Sequence, residues 1–115
     1  MILVHDEVFA VVNVDHSDNM ELFAAVRDLD GRLTLVIPEK RLKGLEFTDA
    51  ERGFRLITFE TRIPFDTVGF IAKVSSALAR EGIPVLVFSS FSTDHVLVRE
   101  DHLEKAVETL EKVVR

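Results

Sequence analysis

Ser89, Ser90, Asp94 and His95 fall within one short stretch and supply the residue types of a nucleophile, a base and an orienting acid. Their order defeats that use. Asp94 and His95 are adjacent, and a strand sends neighbouring side chains to opposite faces, so the carboxylate cannot orient the imidazole. Asp15-His16-Ser17-Asp18 offers oxygen and nitrogen donors for a metal but lacks the spaced histidine pair of a dedicated site. His102 stands near a helix start, where a positive charge is disfavoured, and reads as a surface residue. The absence of cysteine removes thiolate nucleophiles, disulfides and cysteine-ligated zinc or iron–sulfur centres together. With no phosphate loop, dinucleotide fingerprint or kinase motif, the expectation is a protein without catalysis, metal or cofactor.

The elements that position these residues are clearest from Phe54 onward. Phe54-Arg55-Leu56-Ile57-Thr58-Phe59-Glu60 is β-branched and aromatic, and Ile63-Pro64 ends it, which predicts a strand. Val68, Ile71, Val74 and Leu78 recur at three and four residues and predict a helix near 67–81. Asp66 is its expected N-cap, because a carboxylate there accepts from the first free N–H groups. Gly82 supplies a left-handed stop and Pro84 forbids continuation. The run after Pro84 predicts a strand, Ser92-Thr93-Asp94 a turn, and His95 to Arg99 the antiparallel return. Leu103, Ala106, Val107, Leu110, Val113 and Val114 form the stripe of a second helix near 101–114, with Asp101 and Glu104 as an acidic capping box. The order strand–helix–strand–strand–helix is an α+β, ferredoxin-like unit lacking its fourth strand.

The first half repeats the plan with its helices shed. Val8 to Val14 predicts a strand, and Leu22 to Asp28 and Arg32 to Ile37 flank Leu29-Asp30-Gly31, the best hairpin signal in the chain. Pro38 to Leu42 suits one helical turn, and Gly44 to Arg52 reads as a connecting loop. Two repeats, 1–53 and 54–115, are expected to pack as one fold unit, because neither closes a core alone.

The chain has 115 residues and a net charge of −6. Residues 1–53 carry 11 acidic against 6 basic residues, so most of the imbalance lies there. An acidic chain is ill suited to collect affinity from phosphates, which argues against nucleic acid and anionic membrane as partners. Trp and Tyr are absent, and the nine Phe are expected in the core. No run approaches the roughly 18 apolar residues of a membrane span, and Met1 to Glu7 carries no basic flank of a targeting segment. Together with the missing cysteines, this suits the cytoplasm.

From Phe65 to Val85 the chain resembles an ACT domain: an acidic residue, Asp66, then Gly69 at a helix opening, an apolar stripe ending in Leu78, then Gly82-Ile83 and a strand. The continuation Phe88 to Val98 is similar to stand-alone tandem ACT proteins and to the ACT repeats of CASTOR-type arginine sensors. Leu33 to Glu39 and Glu51 to Arg55 are similar to the degenerate first repeat of that group. Two positions depart from it. His95 stands where an aromatic is usual, and Thr67-Val68 precede Gly69 where many ACT domains have Arg-Pro.

The resemblance implies a βαββαβ-type tandem fold, a regulatory role through amino-acid binding, a homodimer, and a regulated enzyme or other protein partner. A zwitterion needs donors for its carboxylate and acceptors for its ammonium. The N–H groups of Val68, Gly69 and Phe70, behind Asp66, are the expected donors. Asp94 is the expected acceptor, beside Thr93 and the backbone of Ser90 and Phe91. Each has a plainer role as well: Asp66 as a cap, Gly69 in close helix packing, Thr93 and Asp94 as turn formers. The competing function is a dimerising adaptor that binds no small ligand.

Overall fold

The computed structural model describes residues 2–16, 22–60 and 68–114. In chain order these form β1 (Ile2–Val14), β2 (Ala24–Arg27), β3 (Leu33–Pro38), β4 (Asp49–Phe59), α1 (Phe70–Arg80), β5 (Leu86–Ser89), β6 (Asp94–Arg99) and α2 (Leu103–Val113). Short 3-10 turns at Glu39–Leu42 and Glu100–His102 precede β4 and α2. They divide into two compact units, Glu7–Phe54 and the remainder of the chain.

In the larger unit the hydrogen-bonded order is β1-β4-β6-β5, with the first five residues of β1, Ile2 to Asp6, in the outer position beside β4. These residues are the fourth strand that the ferredoxin-like plan requires. The expected strand near the N-terminus therefore begins at Ile2 rather than Val8. Asp6 and Glu7 interrupt its hydrophobicity but point to solvent and leave its backbone extended. β5 and β6 pair antiparallel, with Phe88 opposite His95 and Ser89 opposite Asp94.

Both helices pack on one face of this sheet. Ile57 and Phe59 of β4 and Val96 and Val98 of β6 meet Val74 and Leu78 of α1 and Ala106 and Leu110 of α2, all at most 1% exposed. Ile2 and Val4 pack against the same cluster. By strand alternation Thr58 and His95 then face the side away from the helices.

In the unit Glu7–Phe54 the order is β2-β3-β1-β4. β3 pairs antiparallel with β1, from Phe9 opposite Pro38 to Val14 opposite Leu33, and with β2 on its other side. Ala10, Val12, Val14, Leu35, Ile37 and Leu42 form its core. The hairpin lies where Asp30-Gly31 predicts it. Gly31 takes φ +87°, and the Asp28 and Asp30 carboxylates accept from the Leu29 and Arg32 N–H groups. Asp49 to Arg52, expected in the connecting loop Gly44 to Arg52, instead open β4. The Gly53 N–H donates to Glu39 at 3.0 Å.

Candidate functional site

α1 begins at Phe70, later than the spacing predicts, and Gly69, which has no side chain to cap with, is its N-cap at φ +90°. The expected cap, Asp66, lies outside the described residues. Gly69 is thus a left-handed boundary residue rather than a glycine inside the helix. Among the described residues, its chain neighbours aside, a Cβ built on it would meet nothing within 4 Å, and its φ is one that favours glycine. Val68 precedes the helix and is 96% exposed, off the buried stripe where its spacing put it. The first intrahelical bond runs from the Lys73 N–H to the Gly69 carbonyl at 2.9 Å. The Phe70, Ile71 and Ala72 N–H groups therefore lie in the first turn, where a helix has no carbonyl for them. The Phe70 ring itself is a core group, edge-on to Phe59 at 5.2 Å.

The far end of α1 closes as Gly82 predicts. The Gly82 N–H reaches the Ala79 carbonyl at 2.9 Å and the Ile83 N–H the Leu78 carbonyl at 3.0 Å, the paired bonds of a Schellman motif. α2 begins from His102, which has no capping side chain, so the expected Asp101–Glu104 capping box does not form. Asp101 sits in the preceding 3-10 turn instead.

The turn between β5 and β6 draws the other candidate residues together. The Ser90 N–H donates to the Thr93 carbonyl at 2.9 Å, and the Ser90 and Thr93 hydroxyls are 2.6 Å apart. Asp94 opens β6 rather than belonging to the turn, and its carboxylate accepts from the Ser89 hydroxyl. A carboxylate has further lone pairs, so one such bond leaves it able to accept another donor. Phe91, at the tip, is 76% exposed.

Behind the turn lies an arrangement the residue types did not suggest. The His95 Nε2 is 3.0 Å from the Thr93 hydroxyl, its Nδ1 is 2.8 Å from the Thr58 hydroxyl, and Thr58 is in turn 2.8 Å from the His5 Nε2. His95 is 4% and Thr58 7% exposed, so both polar side chains are buried and bonded to each other. The Phe88 ring stacks on the imidazole at 5.2 Å. Burial pushes the His95 pKa below the ordinary imidazole value of 6.5, the nearby His5 pushes the same way, and Asp94 opposes both. The sequence shows only that His5, Thr58 and His95 each adjoin apolar residues; that β1, β4 and β6 lie side by side is what the fold adds.

Of the Asp15-His16-Ser17-Asp18 tetrad, Ser17 and Asp18 lie outside the described residues, and Asp15 pairs with Arg32 at 3.2 Å. Among the described residues no three His, Asp or Glu side chains gather as a metal site, and no helix is long and apolar enough to cross a membrane.

A four-stranded sheet backed by two helices makes a small ferredoxin-like α+β module. The ACT domain family model matches residues 49–112, and the chain belongs to that family. A Vibrio cholerae protein of unknown function, described as a possible transport protein, is similar over 95% of this chain and 85% of its own, at 25% identity and a TM-score of 0.79. A protein from Agrobacterium tumefaciens is similar over 97% and 87%, at 23% identity and 0.80. The ligand-free regulatory subunit of aspartate kinase from Thermus thermophilus shares the fold over 99% and 97%, at 10% identity and 0.73. No curated protein matches the chain.

Proposed function

We propose that this protein is a regulatory module that binds a free amino acid and has no catalysis of its own. The observation that carries the reading is the ACT match over residues 49–112, which spans both the start of α1 and the turn before β6. The likeness to an aspartate kinase regulatory subunit supports a small-ligand regulatory role. The string from Phe88 to Val98, similar to CASTOR-type repeats, supports an amino acid as that ligand.

In this reading the ligand carboxylate sits at the opening of α1, on N–H groups from Val68, Gly69 and Phe70, with the positive end of the helix behind it. Its ammonium meets Asp94, with the Ser90 and Phe91 backbone and Thr93 beside it. Asp66 is a second acceptor if it does not cap the helix. The ligand acts on a regulated enzyme or other protein partner, in the cytoplasm. Thermal-shift screening of the pure protein against the common amino acids tests the proposal, because a ligand bound only by the folded form raises its apparent stability. No shift with any of them at millimolar concentration rejects it.

A second reading, a dimerising adaptor, is favoured by one observation. β5 stands last in the strand order and exposes Leu86 and Val87, with Phe91 beyond it. Such an edge invites a second strand, and we expect a homodimer under either reading. Sedimentation showing only monomer at tens of micromolar, roughly where weak homodimers still assemble, rejects it.

A further inference from the structure

Thr58 has one hydroxyl proton and stands between two imidazoles. Its Oγ1 is 2.8 Å from the His5 Nε2 and 2.8 Å from the His95 Nδ1. The one proton can point to either ring, and both polarities satisfy the contacts equally. Each polarity fixes the tautomers of the two rings together. When Thr58 donates to His95, Nδ1 there is bare, and the His5 Nε2 must carry the proton that Thr58 accepts. When Thr58 donates to His5, Nε2 there is bare, and the His95 Nδ1 must carry it. Beyond His95, the Thr93 hydroxyl 3.0 Å from Nε2 can accept or donate, so it follows in either case. Whichever polarity holds, the two facing nitrogens of the neutral rings carry one proton between them.

We propose that His5 and His95 share a single added proton through the Thr58 hydroxyl, and that a second is taken only at the loss of a hydrogen bond. With the added proton on His5, its Nε2 donates to Thr58 and Thr58 donates on to His95. With it on His95, the Nδ1 donates to Thr58 and Thr58 donates back to His5. Both forms keep every contact. They interconvert when one proton moves from the His5 Nε2 to the Thr58 oxygen and the Thr58 proton moves to the His95 Nδ1, with no heavy atom displaced. His5 is half-buried and His95 is 4% exposed, so this path joins a buried imidazole to one nearer the solvent. A second proton makes donors of both facing nitrogens. Thr58 then accepts from both, its own O–H loses its acceptor in a buried place, and two positive rings stand only two hydrogen bonds apart. Of the charged groups on the packed strands, Asp94 on β6 favours a charge on His95, and Arg99 lies on the same face of β6 by alternation. On β4, Arg55 donates to the His5 carbonyl at 2.9 Å and lies 4.0 Å from Glu100, while Glu60, two residues beyond Thr58, is exposed. Asp6 on β1 is exposed as well, and β5 presents the Phe88 ring. The lowered pKa of His95, to which His5 contributes after burial, has the same sense as this account. The inference concerns the histidine pair and requires no ligand.

The experiment is imidazole nitrogen NMR on the full chain, from pH 8 to pH 4, for the wild type, Thr58→Val and Thr58→Ser. At pH 8 the fraction of wild-type molecules protonated at Nε2 should be the same for His5 as for His95, whether that fraction is near all, near none or between. On acidification the pair should take its two protons in steps more than about one pH unit apart, the separation that marks interacting sites. Thr58→Val keeps the shape, removes the hydroxyl and should unlink the two fractions. Thr58→Ser should restore their match. Opposite tautomers in the wild type, two protons taken within about one pH unit of each other, or a match that persists unchanged in Thr58→Val would each overturn the proposal. If Thr58→Val fails to fold, the wild-type tautomers and the separation of the two steps decide alone.

Discussion

The rings of Phe59 and Phe70 meet edge to face, centroid to centroid at 5.2 Å. Phe70 is thereby divided between two tasks: its ring anchors the first turn of α1 to β4, and its N–H faces the opening of the helix. Phe70→Ala should therefore lower stability by about 3 kcal/mol, in the range for truncating a packed aromatic, while leaving any ligand contact made by its backbone. Urea unfolding checks the first part. A loss under about 0.5 kcal/mol, the size of an ordinary surface change, would show that the ring is not an anchor.

Protonation of His95 should make stability pH-dependent in a definite sense. Its folded pKa lies below the ordinary 6.5, so between the two values the unfolded chain binds more protons, and stability rises with pH there. The contribution is fully present above about 6.5 and is lost as pH falls through the folded value. His95→Gln keeps a polar side chain but cannot titrate. Subtracting its unfolding free energy from that of the wild type at each pH should leave a difference that declines between pH 7 and pH 5. A flat difference contradicts the assignment.

For the proposed ligand, Asp94→Asn removes the charge that would face the ammonium while keeping an oxygen for Ser89. Charge-assisted hydrogen bonds contribute about 1.5–3 kcal/mol, so affinity for the amino acid identified by screening should fall about tenfold or more. Titration calorimetry on a folded variant measures it. Unchanged affinity would move the ammonium site away from Asp94.

Gly69 and Gly82 bound α1 with φ +90° and +72°, and among the described residues, chain neighbours aside, nothing lies within 4 Å of where a Cβ on either would stand. Alanine at either position should cost about 1 kcal/mol from backbone strain alone. The two should differ in ligand response: Gly69→Ala adds a methyl where the proposed carboxylate approaches, and Gly82→Ala does not. Thermal shifts with saturating ligand separate the cases, and equal responses would argue against ligand contact at Gly69.

Much of the fold was legible where periodicity was strong. Val74 and Leu78 in α1 and Ala106 and Leu110 in α2 are buried along the stripes their spacing defines, and the turns at Gly31 and Gly82 follow from residues that tolerate positive φ. The strand residues with exposed, charged side chains were not legible. Asp49-Ala50-Glu51-Arg52-Gly53 carries no alternation, and its extended form is imposed by pairing with β1 rather than by local preference. The residues around the turn were recognisable by type, but their bonding depended on a partner, Thr58, that lies 37 positions from His95. Spacing also misassigned Val68, which lies two residues before the first helical residue, Phe70, because the left-handed Gly69 bounds the helix.

The outer place that Ile2 to Asp6 take beside β4 bears on where the chain can be cut. Divided between Gly53 and Phe54, a fragment of residues 54–115 would keep both helices and its own three strands yet miss the one beside β4, leaving Ile57 and Phe59 without Ile2 and Val4. A cut there separates Ile2 to Asp6 from the unit they complete. A separate segment carrying Ile2 to Asp6 is what such a fragment would need for complementation, and a permuted gene joining that segment after Arg115 would be a more faithful minimal form than either half.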